Sequence, residues 1–195
     1  MGTKEIILAS ASPRRKKILN QLNLEFKVQP AAINEGQITA SGPRALVKKI
    51  ALSKARKVSE QFHNNEVLII AADTVVVFEK KVLGKPENDL EAEQMLEMLS
   101  GKKHRVLTGL TLLDTGKNYA TTIVDITLVY FRDIESSEIN NYIKTGEPFD
   151  KAGAYGIQGL GGIFVEKIVG SYANVVGLPV HKLAEMFNDY EMAIL

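Results

Sequence analysis

The 195-residue chain contains no cysteine and no tryptophan, and its three histidines stand far apart at positions 63, 104 and 181. Without cysteine there are no disulfides and no thiolate metal sites. His63, His104 and His181 form neither an HExxH nor an HxH pair, which argues against zinc. No apolar run approaches the ~18 residues of a membrane span, and the N-terminus lacks the apolar core of a signal peptide. Met1-Gly2 would suit lipidation, but Ile6 stands where that pattern wants serine or threonine. Excess charge of one sign is absent as well. The 24 Lys+Arg balance 23 Asp+Glu, so no global field draws the chain to nucleic acid or to a membrane. Any recognition of anions must be local. A G-x-x-x-x-G-K-[ST] loop is missing, as is a G-x-S-x-G elbow in a plausible triad order. These absences leave a soluble cytoplasmic protein as the expectation. With 45% apolar residues, residues 1–195 are expected to form one domain.

What is present alternates between strand and helix patterns. Ile6–Ala9, Glu25–Gln29, Val67–Ala72, the VVVFE run, Val106–Leu113, Ile123–Phe131 and Gly162–Ile168 read as strands. Helices are expected from Pro13 past Leu19, over Pro43–Phe62, Asn88–Leu99 and Glu135–Lys144, and over Leu178–Asn188 at the end. Lys80-Lys81 and Thr115-Gly116 read as turns, and residues 30–42 as a loop. Several strands adjoin as hairpins, so the pattern predicts an α/β fold with a mixed sheet flanked by helices.

Three places look chemically out of step with a plain core. At ASASPRR (residues 9–15) a strand gives way to small hydroxyl residues and a helix start carrying two arginines. Free N–H groups and a partial positive charge at that start, with Ser10, Ser12, Arg14 and Arg15, suit a polyphosphate. Lys54 falls near the middle of the apolar arc formed by Val47, Ile50, Ala51 and Val58. A charge there either snorkels to water or faces a cleft, and the crowding of other basic residues on the outer face favours the cleft. On that reading Lys54→Met would leave the fold as stable or more so. Asp73 follows VLIIAA, at the expected end of a central strand, where ligands of open α/β sheets collect. An aspartate capping a turn fits that position about as well. With Glu35 in the polar loop and Lys85 after it, carboxylates among cations suggest Mg²⁺ or Mn²⁺ bridging phosphate oxygens, and hydrolysis of a phosphoanhydride. Residues 150–162, DKAGAYGIQGLGG, hold five of the 15 glycines and predict a loop that lets backbone approach a ligand closely.

Taken together, LASASPRR (8–15), AADTVV (71–76), LGKP (83–86) and DKAGAYGIQGLGG (150–162) resemble, in order, the Maf family of nucleoside triphosphate pyrophosphatases. ALSKAR (51–56) and GSYANVVGLP (170–179) match too, so the resemblance covers nearly the whole chain. It implies an elongated inosine-triphosphatase-like (Maf/Ham1) fold with a central cleft, usually a homodimer, cleaving a nucleoside triphosphate to monophosphate and pyrophosphate. Asp73 matches the family's proton acceptor; Glu35, Lys54 and Lys85 match other catalytic positions, with Asp73 and Glu35 as metal ligands. The trio Arg14, Thr74 and Gln158 resembles the dTTP/UTP-directed subfamily, with modified pyrimidine nucleotides as further candidates. Two alternatives stay open: a 7-methyl-GTP pyrophosphatase of the sister subfamily, or a nucleotide sensor without turnover, in keeping with the family's link to cell-division arrest.

Overall fold

The structure is a computed structural model and describes residues 4–62, 66–190 and 192. Met1-Gly2 and His63 lie outside the described residues. The apolar runs become strands because β-branched side chains pack well on a pleated surface. β1 (Glu5–Leu8) is continued by α1 (Pro13–Gln21) and β2 (Phe26–Val28). β1 runs parallel to β2, with Ile7 opposite Lys27, so β1, α1 and β2 form one strand–helix–strand unit. A single 3₁₀ turn at Glu35–Gln37 interrupts the polar loop, and α2 (Pro43–Ser59) follows, stopping short of the expected Phe62.

β3 (Val67–Phe78) corrects the sequence reading. VLIIAA and VVVF are one 12-residue strand that runs straight through Asp73. Asp73 is therefore mid-strand, and the argument from strand ends does not apply to it. A carboxylate can sit inside a buried strand when a cation meets it there, and Lys54 does so.

β4 (Lys81–Leu83) pairs back on β3 as a hairpin through Glu79-Lys80, where Glu79 takes a positive φ. α3 (Asp89–Leu99) is capped by Asn88, whose side chain accepts from the Glu91 amide at 2.9 Å. β5 (Lys103–Asp114) and β6 (Tyr119–Phe131) are the long central strands. α4 (Ser136–Lys144) opens with a reciprocal capping box between Glu135 and Glu138. β7 (Val165–Val169) pairs antiparallel to β6. A short helix that the sequence reading lacked, α5 (Tyr172–Val176), precedes α6 (Val180–Asn188). The strand order is β2-β1-β3-β5-β6-β7, with β4 on β3, and the seven strands pair in both senses. The α/β mixed sheet flanked by helices is thus observed.

The chain divides into two compact units. The first comprises residues 1–73, 108–125 and 177–195, and the second residues 74–107 and 126–176. In the first unit, Ile7, Ala9, Ala55, Val58, Ile69 and Ala71 are among the side chains of a packed core between α2 and the sheet. Gly109 allows that approach: a Cβ there would collide with the Val47 carbonyl of α2. The second unit packs α3 and α4 with β4 and the 150–164 segment around Leu96, Phe131, Tyr155 and Phe164.

His104 in the second unit is buried, with Nε2 2.7 Å from the Tyr155 hydroxyl and Phe131 edge-on to its ring. Burial lowers its pKa from the ordinary 6.5 to about 4. The unfolded chain therefore binds a proton that the folded chain refuses, and stability present above pH 6.5 drains away as pH falls toward 4. The loss attributable to His104 amounts to about 3 kcal/mol. Urea denaturation at pH 7.5 and pH 4.5 should show the difference between wild type and His104→Gln reversing in the variant's favour at the lower pH.

Candidate active site

The junction between β1 and α1 is held by its own side chains. Ser12 caps the helix, its Oγ accepting from the Arg15 amide at 3.4 Å, and Pro13 takes the first helical position, where a missing N–H costs nothing. Arg15 turns inward. Its Nε donates to the Gly177 carbonyl at 2.8 Å and its Nη1 to Ser10 Oγ at 3.0 Å. Ser10 Oγ also accepts from the Ser12 amide at 3.2 Å. Both partners of Ser10 can only donate, so its own hydroxyl hydrogen is directed elsewhere. Arg15 is therefore a fixed, buried guanidinium. Arg14 is half-buried next to it, and its charge acts on Arg15.

Lys54 lies on the buried face of α2 with Val47, Ile50, Ala51, Ala55 and Val58. Only 8% of it is exposed, so it does not snorkel. Its Nζ donates to Asp73 Oδ1 at 2.9 Å and meets Glu35 Oε1 at 2.9 Å. Three elements converge at that atom: a helix, mid-β3, and the 3₁₀ turn at Glu35–Gln37. Lys49 secures the loop to the same helix by donating to the Thr39 carbonyl at 3.0 Å. Asp73 is 6% exposed, and its Oδ2 takes no hydrogen bond from the described residues. Burial raises its pKa above the ordinary carboxylate value; Lys54 and Arg15 oppose that rise, and Glu35 adds to it. Burial likewise pulls Arg15 down against the fields of Asp73 and Glu35. Asp73 is thus a carboxylate whose basicity is strengthened and which is held in one orientation by an ammonium. That is the condition of a general base.

Ser10, Ser12, Arg15, Glu35, Lys54 and Asp73 all belong to the first unit. Thr74, Lys85 and Gln158 belong to the second. Thr74 follows Asp73 in β3 and is half-buried, while Lys85 and Gln158 are exposed. Within that unit the LGKP and glycine-rich blocks meet, the Gly153 amide donating to the Gly84 carbonyl at 2.9 Å.

The glycine-rich block packs closely within its own unit. Its glycines make room for the chain itself. A Cβ on Gly153 would press on Val76 at 3.0 Å, on Gly161 would meet the Tyr142 hydroxyl at 2.6 Å, and on Gly162 the Ile157 carbonyl at 2.7 Å. At Gly156 it would strike the Lys151 side chain, and at Gly159 the Glu147 carboxylate. Glu147, which sequence reasoning passed over, is the centre of this cluster. Its Oε1 accepts from the Tyr142 hydroxyl at 2.9 Å and the Gly161 amide at 3.2 Å, and its Oε2 from the Leu160 amide at 2.9 Å. Burial pushes Glu147 up, but these donors hold it below the ordinary carboxylate value. The one signal for it in the sequence is the density of glycine at 156, 159 and 161, which demands an atom for the backbone to approach.

Among the described residues no group of three or more His, Asp or Glu side chains is placed to hold a metal ion. Asp73 and Glu35 supply hard oxygen donors on either side of one cation-binding point, now taken by Lys54 Nζ. Such a pair fits Mg²⁺ or Mn²⁺ only when a ligand's phosphate oxygens complete the shell.

A family model described as Maf-like protein matches residues 5–190. A Clostridium perfringens protein named dTTP/UTP pyrophosphatase is 46% identical over 192 residues, covering 98% of this chain and all of its own length. Proteins of the same name from Alkaliphilus oremlandii and Bacillus cereus are 44% and 41% identical; the alignments cover 96% of both chains in the first case and 98% in the second. Among solved structures, the Staphylococcus aureus Ham1 protein aligns with a TM-score of 0.46 at 14% identity, over 67% of this chain and 73% of that one. The family assignment rests on the sequence matches.

The Lys54–Asp73 pair reverses the expectation for Lys54→Met. Removing the ammonium strands a buried carboxylate, so the variant should lose about 3–5 kcal/mol of stability. Asp73→Asn should do the opposite. Because the folded carboxyl is raised, its ionised form costs stability at every pH above the ordinary value of 3.8. Thermal melts should therefore place the Asn variant at or above wild type at pH 7, with the margin shrinking toward pH 4. Its turnover should fall by at least ~10²-fold, the usual contribution of a general base.

Proposed function

This chain belongs to the Maf family, and we propose from that membership that it is a nucleoside triphosphate pyrophosphatase, cleaving dTTP and UTP to the monophosphate and pyrophosphate. The observation that carries the reading is the Asp73–Lys54–Glu35 cluster, with Arg15 close enough for its charge to act on Asp73. Water delivers its hydroxyl to phosphorus, the P–O bond of the α–β anhydride breaks, and pyrophosphate leaves with the bridging oxygen. Asp73 accepts the proton released by water. Lys54 keeps that carboxylate ionised and oriented, and Arg15, the Ser10 hydroxyl and the start of α1 provide fixed positive potential for phosphate oxygens. Positioned charge of this kind supplies most of phosphoryl-transfer catalysis.

A divalent cation, Mg²⁺ or Mn²⁺, bound by Asp73 and Glu35 together with phosphate oxygens, would neutralise charge on the polyphosphate. Lys85 as a further phosphate cation, and Arg14, Thr74 and Gln158 as selectors of the base, are proposed on the resemblance. So are a homodimeric assembly, a cytoplasmic location, pyrimidine pool sanitation as the physiological task, and the absence of a nucleic-acid partner. No described helix is long and apolar enough to cross a membrane.

Incubation with dTTP or UTP, with inorganic pyrophosphatase added to report the product, should release phosphate. A protein that binds dTTP without releasing phosphate would instead be a sensor. Excess EDTA should abolish turnover, and full activity in EDTA would overturn the metal assignment. A pyrimidine 2,4-dione presents two acceptors around one N–H, which the donor-and-acceptor amide of Gln158 can match. The rate with dTTP and UTP should thus be well ahead of 7-methyl-GTP; the reverse order would overturn the subfamily assignment while keeping the pyrophosphatase reading.

A further inference from the structure

Gln158 sits in a turn that is tied down at both ends. The Gly159 amide donates to the Gly156 carbonyl at 3.2 Å, which closes a four-residue turn over Ile157 and Gln158. On one side of it the Gly156 amide donates to the Tyr142 hydroxyl at 3.3 Å. That hydroxyl donates in turn to Glu147 Oε1 at 2.9 Å, which also accepts the Gly161 amide at 3.2 Å on the other side. The Leu160 amide completes the set on Oε2 at 2.9 Å. A half-buried carboxylate thus fills a nest of backbone amides, a place where many proteins bind an external anion. Gly159 and Gly161 carry no side chain because Glu147 and Tyr142 occupy that space. Lys151 anchors Glu147 from behind, its Nζ donating to the Glu147 carbonyl at 2.8 Å.

We propose that Glu147, relayed through Tyr142, is a positioning residue for base selection: its carboxylate fixes the turn that presents Gln158. The proposal rests on the reading that Gln158 selects the base. Glu147 itself touches no substrate. Among the described residues its carboxylate is the side chain that accepts from both residues following the turn and from the hydroxyl that holds the residue opening it. An amide of the same shape cannot replace it. In Glu147→Gln, whichever way the new –NH₂ pointed, it would meet an N–H or O–H donor and leave a backbone amide without an acceptor.

The test is a double-mutant cycle on selectivity. The ratio of kcat/KM for dTTP to that for GTP is measured for wild type, Glu147→Gln, Gln158→Ala and the double variant. Gln158→Ala should lower the ratio about tenfold, as expected when a hydrogen-bonding site loses its match to the base. Glu147→Gln should lower it to a similar extent, mostly through KM for dTTP. The double variant should lose nothing more, because Glu147 acts through Gln158. An unchanged ratio in Glu147→Gln overturns the proposal, as does an equal drop in both backgrounds, which would mark a purely structural role. An unchanged ratio in Gln158→Ala overturns the base-selection reading itself, and the proposal with it. Should Glu147→Gln fail to melt cooperatively, Tyr142→Phe removes the hydroxyl relay with the ring in place and is judged by the same outcomes.

Discussion

One buried ammonium organises the first unit. Lys54 Nζ is the point at which α2, β3 and the 3₁₀ turn at Glu35–Gln37 meet, and each brings a charge to it. An isolated ion could not remain there: the cost of stripping water from a lysine or an aspartate is several kcal/mol per ion. The buried carboxylate is tolerable only because the ammonium is present. The half-exposed Glu35 then adds a second anion without a second full desolvation. Burial leaves the carboxylate at elevated basicity, against the pull of the ammonium that orients it.

That arrangement also explains why β3 continues where its sequence suggests an ending. Read by composition, Asp73 is a break between two apolar runs. Read by partner, it is an inward-facing strand residue answered by a lysine 19 positions earlier. Periodicity did reveal the lysine, since Lys54 falls on the apolar arc of α2, and that mismatch was legible without coordinates. The pairing was not, because a side chain's ionic partner across a helix–sheet interface leaves no local mark. Ser10, Ser12 and Arg15 were legible because hydroxyls and a paired arginine crowd one strand-to-helix junction. The structure adds that Arg15 is buried and bonded to the Gly177 carbonyl and Ser10 Oγ.

The glycine-rich segment shows the converse case. Its composition was conspicuous, yet the carboxylate that Gly159 accommodates lies upstream in a Gly-Glu-Pro turn that looks like ordinary surface. Glu147 carries no anomaly of its own. Half-buried and following a left-handed glycine, it becomes recognisable only when the backbone amides of residues 160 and 161 are seen to converge on it. The strand pattern, helix caps and mixed sheet were readable because they depend on neighbours in sequence. α5 was not: its five residues are too few for a period, and its Asn174 is fixed by distant groups, donating to the Val106 carbonyl and to Thr127.

The bond from Arg15 to the Gly177 carbonyl joins residues 162 positions apart. During synthesis the arginine leaves the ribosome long before its acceptor exists. Contacts of such separation come late, because a long stretch of chain must be ordered before they repay the closure of the loop. The Arg15 end of α1 is thus among the last features to be secured, and a nascent or C-terminally shortened chain holds Arg15 without the carbonyl that aims it. Only a chain synthesised past Gly177 can aim Arg15.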